Sequence, residues 1–266
     1  MTWGRSASGA VAAVTFLALV AGCSGGSSSD ESSLGGDSSS TDGSTLDVSI
    51  SDSAEAASEK VGVDLRQDID QVAAAVGQRL DLPSGVSVSV GVHPENAITG
   101  TGVGGRTSPY NGHVTISLDT SVPYFKRTLT QWLPLLLSHE LDHAVRIIDG
   151  PGYGTTLLEA IVSEGLADSF SLEAYPQPRR PHWVTALAPN AVCTWWRRLQ
   201  RAHAKQGVNF NFNAWFFGNG DIPHWTGYAL GFSLVQHYLD RHPGVDAADL
   251  VDVGDDQIAR GAALCT

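Results

Sequence analysis

Residues 139–143 read HELDH, inside the apolar stretch LLLSHELDHAVRI (135–147). In a helix, positions i and i+4 share a face, so His139 and His143 can aim imidazole nitrogens at one ion. Glu140 sits about a quarter turn round from His139, at the edge of that face. From there it can take a proton from a water on the ion without binding the ion itself. The spacing is that of the H-E-x-x-H helix. The chemistry it points to is hydrolysis assisted by zinc, with Glu140 as general base.

A catalytic zinc needs a third protein donor and a fourth position left open. The segment LLEAIVSEGLADSF (157–170) offers Glu159 and Glu164. Glu164 follows His143 by 21 residues, and two antiparallel helices joined by a short loop would bring it opposite the histidines. Asp168 lies four residues on, on the same face, and could accept a hydrogen bond from the far nitrogen of a ligand histidine. Glu159 has no such companion one turn on and its face is rotated, so Glu164 is the preferred third donor. Gly165 has no side chain and would let this helix approach the first closely. A tetrahedral intermediate also needs a hydrogen-bond donor besides the metal. Tyr228, in the first turn of WTGYALG, and His224 are the candidates. Asp142 is expected to face solvent. His93, His113, His182, His203, His237 and His242 have no partner at metal spacing and read as ordinary histidines.

These groups need a scaffold. Apolar residues at helical spacing predict helices over 63–80, 126–148, 155–174, 190–206, 226–242 and 255–264, with Thr226 as an N-cap. VSVSVGV (86–92) and HVTISLD (113–119) alternate and read as strands. The glycine-rich segment 99–112 reads as loop or hairpin. Its GxGG lacks a following Lys-Ser/Thr and is not a phosphate loop. Phe210, Phe212, Trp215, Phe216 and Phe217 belong to an aromatic loop and are expected to anchor it to the core. Strands followed by helices give an α+β fold, with a small antiparallel sheet and a mostly helical C-terminal part.

The chain has 266 residues, 42% of them hydrophobic, which is enough for a sizeable core. Its net charge of −12 speaks against a nucleic-acid partner. Residues 24–60 hold eight acids and one lysine. The stretch SGGSSSDESSLGGDSSSTDGS after Cys23 has almost nothing apolar to bury and reads as a flexible tether through residue 59. Such a coil reaches roughly 30–35 Å on average. Before it, GAVAAVTFLALVA (9–21) is too short to span a bilayer and fits the apolar region of a secretory signal. It ends in LVAGC, which resembles the lipobox of bacterial lipoproteins. That resemblance implies cleavage after residue 22 and a lipid anchor on Cys23. An exported chain can then pair its two remaining cysteines, Cys193 and Cys265.

Three motifs in order, HELDHA, EAIVSEGLAD and FFG…IPHWTGYALGF, resemble a family of predicted zinc-dependent proteases known as a domain of unknown function. The resemblance covers roughly residues 110–240. It implies a zincin-like fold of the gluzincin kind over 60–266, with one Zn2+ held by His139, His143 and Glu164 and with Glu140 as base. It implies a peptide or protein substrate whose backbone lies along an edge strand, for which HVTISLD is the candidate. Together with the leader it implies an enzyme anchored on the extracytoplasmic side of a bacterial cell membrane. A non-enzymatic zinc-binding lipoprotein, storing or delivering metal, would share the three ligands and have no need of Glu140.

Overall fold

The computed structural model describes residues 46–265, and Ser44–Thr266 form one compact unit. The leader, Cys23 and most of the Ser/Gly/Asp-rich stretch lie outside the described residues. Folded elements begin before residue 60, which corrects the expected end of the tether. Strand β1 (Asp47–Ile50) buries Val48 and pairs in parallel, in the register Asp47↔Ser87, with a strand forty residues on. Helix α1 (Asp52–Lys60) follows. Ser51 caps it by accepting from the amide of Ala54, and Asp52 and Glu55 lie in its first turn. The segment is polar in composition. Its order comes from that distant pairing, which no local pattern reveals.

Helix α2 (Leu65–Gly77) is capped by Asp64 and buries Leu65, Ile69, Val72 and Val76, one face at steps of four, three and four. Three strands come next, β2 (Ser87–Val92), β3 (Val103–Thr107) and β4 (Val114–Leu118). The sheet order is β1-β2-β4-β3, with parallel β1/β2 and β2/β4 pairs and an antiparallel β3/β4 pair. The sheet is therefore mixed, whereas the alternating strand pattern suggested an antiparallel one. Alternation reports which face is buried and not the direction of the neighbour. On the polar face, His113 engages Ser87 through Nδ1 at 2.8 Å and Ser89 through Nε2 at 3.0 Å.

β3 runs through the glycine-rich segment that read as loop or hairpin. Its glycines weaken the strand signal, and packing requires them. A Cβ on Gly104 would collide with the backbone of Asn96 and Ala97, and one on Gly105 would collide with the Glu140 side chain.

The remaining described elements are helical: α3 (Phe125–Ile148), α4 (Leu157–Ala174), α5 (Pro189–Gln206), α6 (Phe212–Phe216), α7 (Thr226–Arg241) and α8 (Asp255–Ala262). A capping box starts α4. The Thr156 hydroxyl accepts from the Glu159 amide, and Glu159 Oε2 accepts from the amides of Thr155 at 2.6 Å and Thr156 at 2.8 Å. Trp225, in left-handed backbone conformation, is the N-cap of α7. Thr226 is the first helical residue, and its hydroxyl donates to the Pro223 carbonyl. Gly165 meets Gly231 of α7, with no room for a Cβ on either, so the close approach it permits is to α7 and not to α3.

One apolar cluster joins the sheet, α1, α2 and the leucines of α3, and a second joins α4 to α8. The α3–α4 hairpin bridges the two. Fully buried Arg146, near the end of α3, donates to the carbonyls of Val251 and Val253 and pairs with Asp255 at 2.8 Å. Cys193 and Cys265 form a disulfide across 72 residues. Closing such a loop stabilises by about 4 kcal/mol in the chain-entropy model. Among the described residues no helix is long and apolar enough to cross a membrane.

Candidate metal centre

α3 presents His139 and His143 on one face, and the turn at 149–156 sends α4 back alongside it. Glu164 of α4 arrives opposite the pair. His139 Nε2 and His143 Nε2 are 3.1 Å apart, and Glu164 Oε2 lies 3.2 Å from the first and 3.5 Å from the second. All three residues are buried. An ion held tetrahedrally at about 2.0–2.1 Å needs donors about 3.3 Å apart, which is the size of this triangle. Two imidazoles and a carboxylate converging on one point are a donor set suited to zinc.

The surroundings hold each donor in place. His139 Nδ1 lies 3.2 Å from Asp168 Oδ1, and that oxygen also accepts from the indole Nε1 of Trp183 at 2.9 Å. His143 Nδ1 meets the hydroxyl of Ser163 at 3.3 Å. The Tyr153 hydroxyl donates to Glu164 Oε1 at 2.6 Å, and its ring packs edge-on against His143. Burial opposes ionisation here, and at Glu164 and His139 the paired charges override it. Burial alone would raise the Glu164 carboxyl, yet His143 and His139 pull it below the usual carboxylate range. Burial alone would lower His139, yet Asp168 and Glu164 lift it well above the usual imidazole range.

Glu140 is 6% exposed. Burial raises its carboxyl above the ordinary value, against the pull of both histidines and a hydrogen bond from Thr107. Thr107 Oγ1 stands 2.7 Å from Glu140 Oε2 and 2.9 Å from the Glu140 carbonyl. Oε1 has no hydrogen-bond partner among the described residues and is not among their sealed polar atoms.

Glu159, the rival third donor, is committed to the α4 capping box and its carboxylate stays away from the histidines. Asp142 is fully buried, contrary to the solvent-facing position expected of it, and neither carboxylate oxygen has a hydrogen-bond partner among the described residues. Burial pushes its carboxyl to about 6, against the pull of His143 and Arg146. α3 is covered on every side from 139 to 146, so its motif has no solvent face.

The two candidate oxyanion donors part company. The Tyr228 hydroxyl is raised well above the usual phenol range by burial and by Glu164, Asp168 and Glu140, and it makes no hydrogen bond to the described residues. Its ring packs edge-on with Phe216 at 5.0 Å and Trp225 at 5.4 Å. His224 is exposed and lies flat on Trp225. In the aromatic loop, Trp215 and Phe216 are buried, and Phe212 stacks on Phe216 at 4.2 Å, so these rings anchor the loop as expected.

Tyr153, Ser163, Thr107 and Trp183 all touch the site, and sequence reasoning passed over them. Tyr153 stands in the turn DGPGYG, where an aromatic residue between glycines was the only signal. Ser163 precedes Glu164 by one residue. Nothing local marks Thr107 or Trp183.

The sequence profile of a family described as "Predicted Zn-dependent protease (DUF2268)" matches residues 92–260. That is well over half of the chain, and the chain belongs to this family. Over 107 residues it is 30% identical to the uncharacterized protein YjaZ of Bacillus subtilis (strain 168). The alignment covers 39% of this chain and 41% of YjaZ, so the chain spans less than half of that relative's length. No solved structure matches the chain.

Proposed function

We propose that this protein is a zinc metallopeptidase that acts outside the cytoplasm, anchored to the membrane through lipid on Cys23. The observation that carries the catalytic reading is the buried triangle of His139, His143 and Glu164 donor atoms, with the Glu140 carboxylate beside it. Those three residues would hold one Zn2+. When bound, zinc supplies a Lewis acid that makes water a nucleophile near neutral pH and polarises a carbonyl. Glu140 is the general base. Its Oε1 takes the proton of the attacking water and passes it to the leaving amine, while Thr107 holds Oε2. Burial brings the Glu140 carboxyl closer to neutrality, which suits a group that must both accept and give a proton. Tyr228 donates to the developing oxyanion. Its hydroxyl is free to do so, whereas that of Tyr153 is engaged by Glu164.

The substrate backbone is assigned to β3. β4 is paired on both sides and has no free edge, which overturns HVTISLD as the docking strand. β3 is the outer strand. Its even-numbered residues bond to β4, as the bonds from Asp119 to Gly102 and from Ser108 to His113 mark at its two ends. Gly105 and Thr107 therefore turn their amides and carbonyls outward, and Gly105 lies against Glu140. An extended peptide adding to that edge would cross the site.

Metal analysis of the purified protein, with a peptide-library digest run with and without chelator, tests the reading. The expected result is one zinc per chain and cleavage that chelator abolishes. Glu140→Gln should keep its zinc and lose at least about a hundredfold in kcat, the lower range for a general base. Tyr228→Phe should lose a similar factor without loss of metal. Zinc binding without any cleavage would instead favour storage or delivery of metal, and a chain that binds no zinc would overturn both.

A further inference from the structure

Charge is segregated along this chain. Residues 174–220 contain six of its sixteen lysines and arginines and none of its 28 acids. The remainder is correspondingly more acidic than the net of −12 suggests. Four of the six cations lie on α5. Arg197, Arg201 and Lys205 are exposed at steps of four, a single stripe about 12 Å long. Arg198 lies beside it over the ring of Trp195, and it donates to the Asp221 carbonyl. The opposite face of the helix buries Trp196 and Leu199. None of the four has an ion-pair partner among the described residues, although the protein holds an excess of carboxylates. A helix face that is merely solvated usually interleaves its cations with acids three or four residues away. The stripe runs directly into Val208, which is 64% exposed.

We propose that the α5 stripe and Val208 form a docking face for an anionic lipid bilayer. Lys and Arg side chains near such a surface are drawn to its headgroups, and an exposed apolar residue at the end of the row can enter the interfacial zone. An acidic polypeptide would satisfy the cations and leave Val208 without a role. The leader and Cys23, if lipidated, would bring the chain to the same surface by a separate route. The face does not depend on the metal site or on the lipid anchor.

The test uses Ser44–Thr266, the compact unit, which lacks the leader and Cys23. Its co-sedimentation with vesicles of phosphatidylcholine is compared with vesicles of equal parts phosphatidylglycerol and phosphatidylcholine. A chain this acidic should be repelled by the anionic vesicles unless a local face draws it in. The expected result is binding to the phosphatidylglycerol vesicles alone, lost between about 0.05 M and about 0.5 M salt as screening shortens. The triple variant R197Q/R201Q/K205Q should partition about a hundredfold more weakly, at about fivefold for each cation removed. V208S should weaken it less and leave the salt dependence unchanged. All four side chains are exposed, and an unchanged melting temperature of each variant verifies the fold. Absence of binding to anionic vesicles, equal binding to neutral ones, or undiminished binding of the triple variant would each overturn the proposal. Salt-sensitive binding to poly-glutamate without binding to vesicles would also overturn it and transfer the face to an acidic polypeptide.

Discussion

His139 and His143 offer the same imidazole nitrogen to the same point, yet their far nitrogens meet different chemistry. Behind His139 stands a buried carboxylate, Asp168, itself held by the indole of Trp183. Behind His143, among the described residues, stands only the hydroxyl of Ser163. A carboxylate fixes the tautomer, orients the ring and makes it a more basic donor, whereas a hydroxyl orients the ring and adds little charge. The two ligand positions are therefore unequal in support, although the motif that supplies them is symmetric. The difference falls on α4. One face of that helix carries Glu164 between the two supports, with Ser163 toward one histidine and Asp168 one turn on toward the other.

Glu164 faces both histidines, so its removal sets the scale for the comparison. Glu164→Ala deletes the only carboxylate among the described residues within reach of both Nε2 atoms and should abolish tight zinc binding, the largest effect expected at this site. Competition against a chelator of known affinity measures it. Retention of tight binding would return Glu159 to consideration as the third donor, against its place in the α4 capping box.

The inequality itself is tested by Asp168→Ala and Ser163→Ala measured side by side. Loss of Asp168 should weaken zinc binding by about 10- to 100-fold, the usual cost of removing a partner behind a ligand histidine. Loss of Ser163 removes one neutral hydrogen bond and should cost about fivefold or less. Equal effects would show that the carboxylate has no special role. A larger effect at Ser163 would reverse the comparison.

The holding half of the site was legible in the sequence because it is local. His139, His143, Glu164 and Asp168 fall within thirty residues, on two helices whose period of 3.6 turns spacing into geometry. The working half was less legible because it is assembled from afar. Thr107 and Gly105 reach Glu140 from β3, a strand whose glycines hide it, and the sheet order that leaves β3 at the edge follows from parallel pairings that no local pattern encodes. The burial of Asp142 escaped for a related reason. Helical periodicity predicts one buried stripe, whereas α3 is enclosed all round by β3, α4 and the segment held by Arg146. β1 and α1 were hidden by a polar composition that also describes a tether.

Trp183 offers the smallest and most pointed test. Its side chain is buried, and among the described residues its one side-chain hydrogen bond goes to Asp168 Oδ1. The other oxygen, Oδ2, is buried without a partner among the described residues, so among them the indole is the one neutral donor that steadies this carboxylate. Trp183 also packs against Trp132, and a loss seen on substitution could reflect packing alone. Phenylalanine keeps an aromatic ring there and deletes the N–H. Trp183→Phe should weaken zinc binding about fivefold, the order of one hydrogen bond. The decisive measurement is the same substitution in an Asp168→Ala background. If Trp183 acts by positioning Asp168, it has nothing left to position there, and the second change should cost nothing further in zinc affinity. If it acts through packing, the two losses should add, as they do for independent sites. Additive losses would remove Trp183 from the support of His139 and leave Asp168 to account alone for the difference between the two histidines.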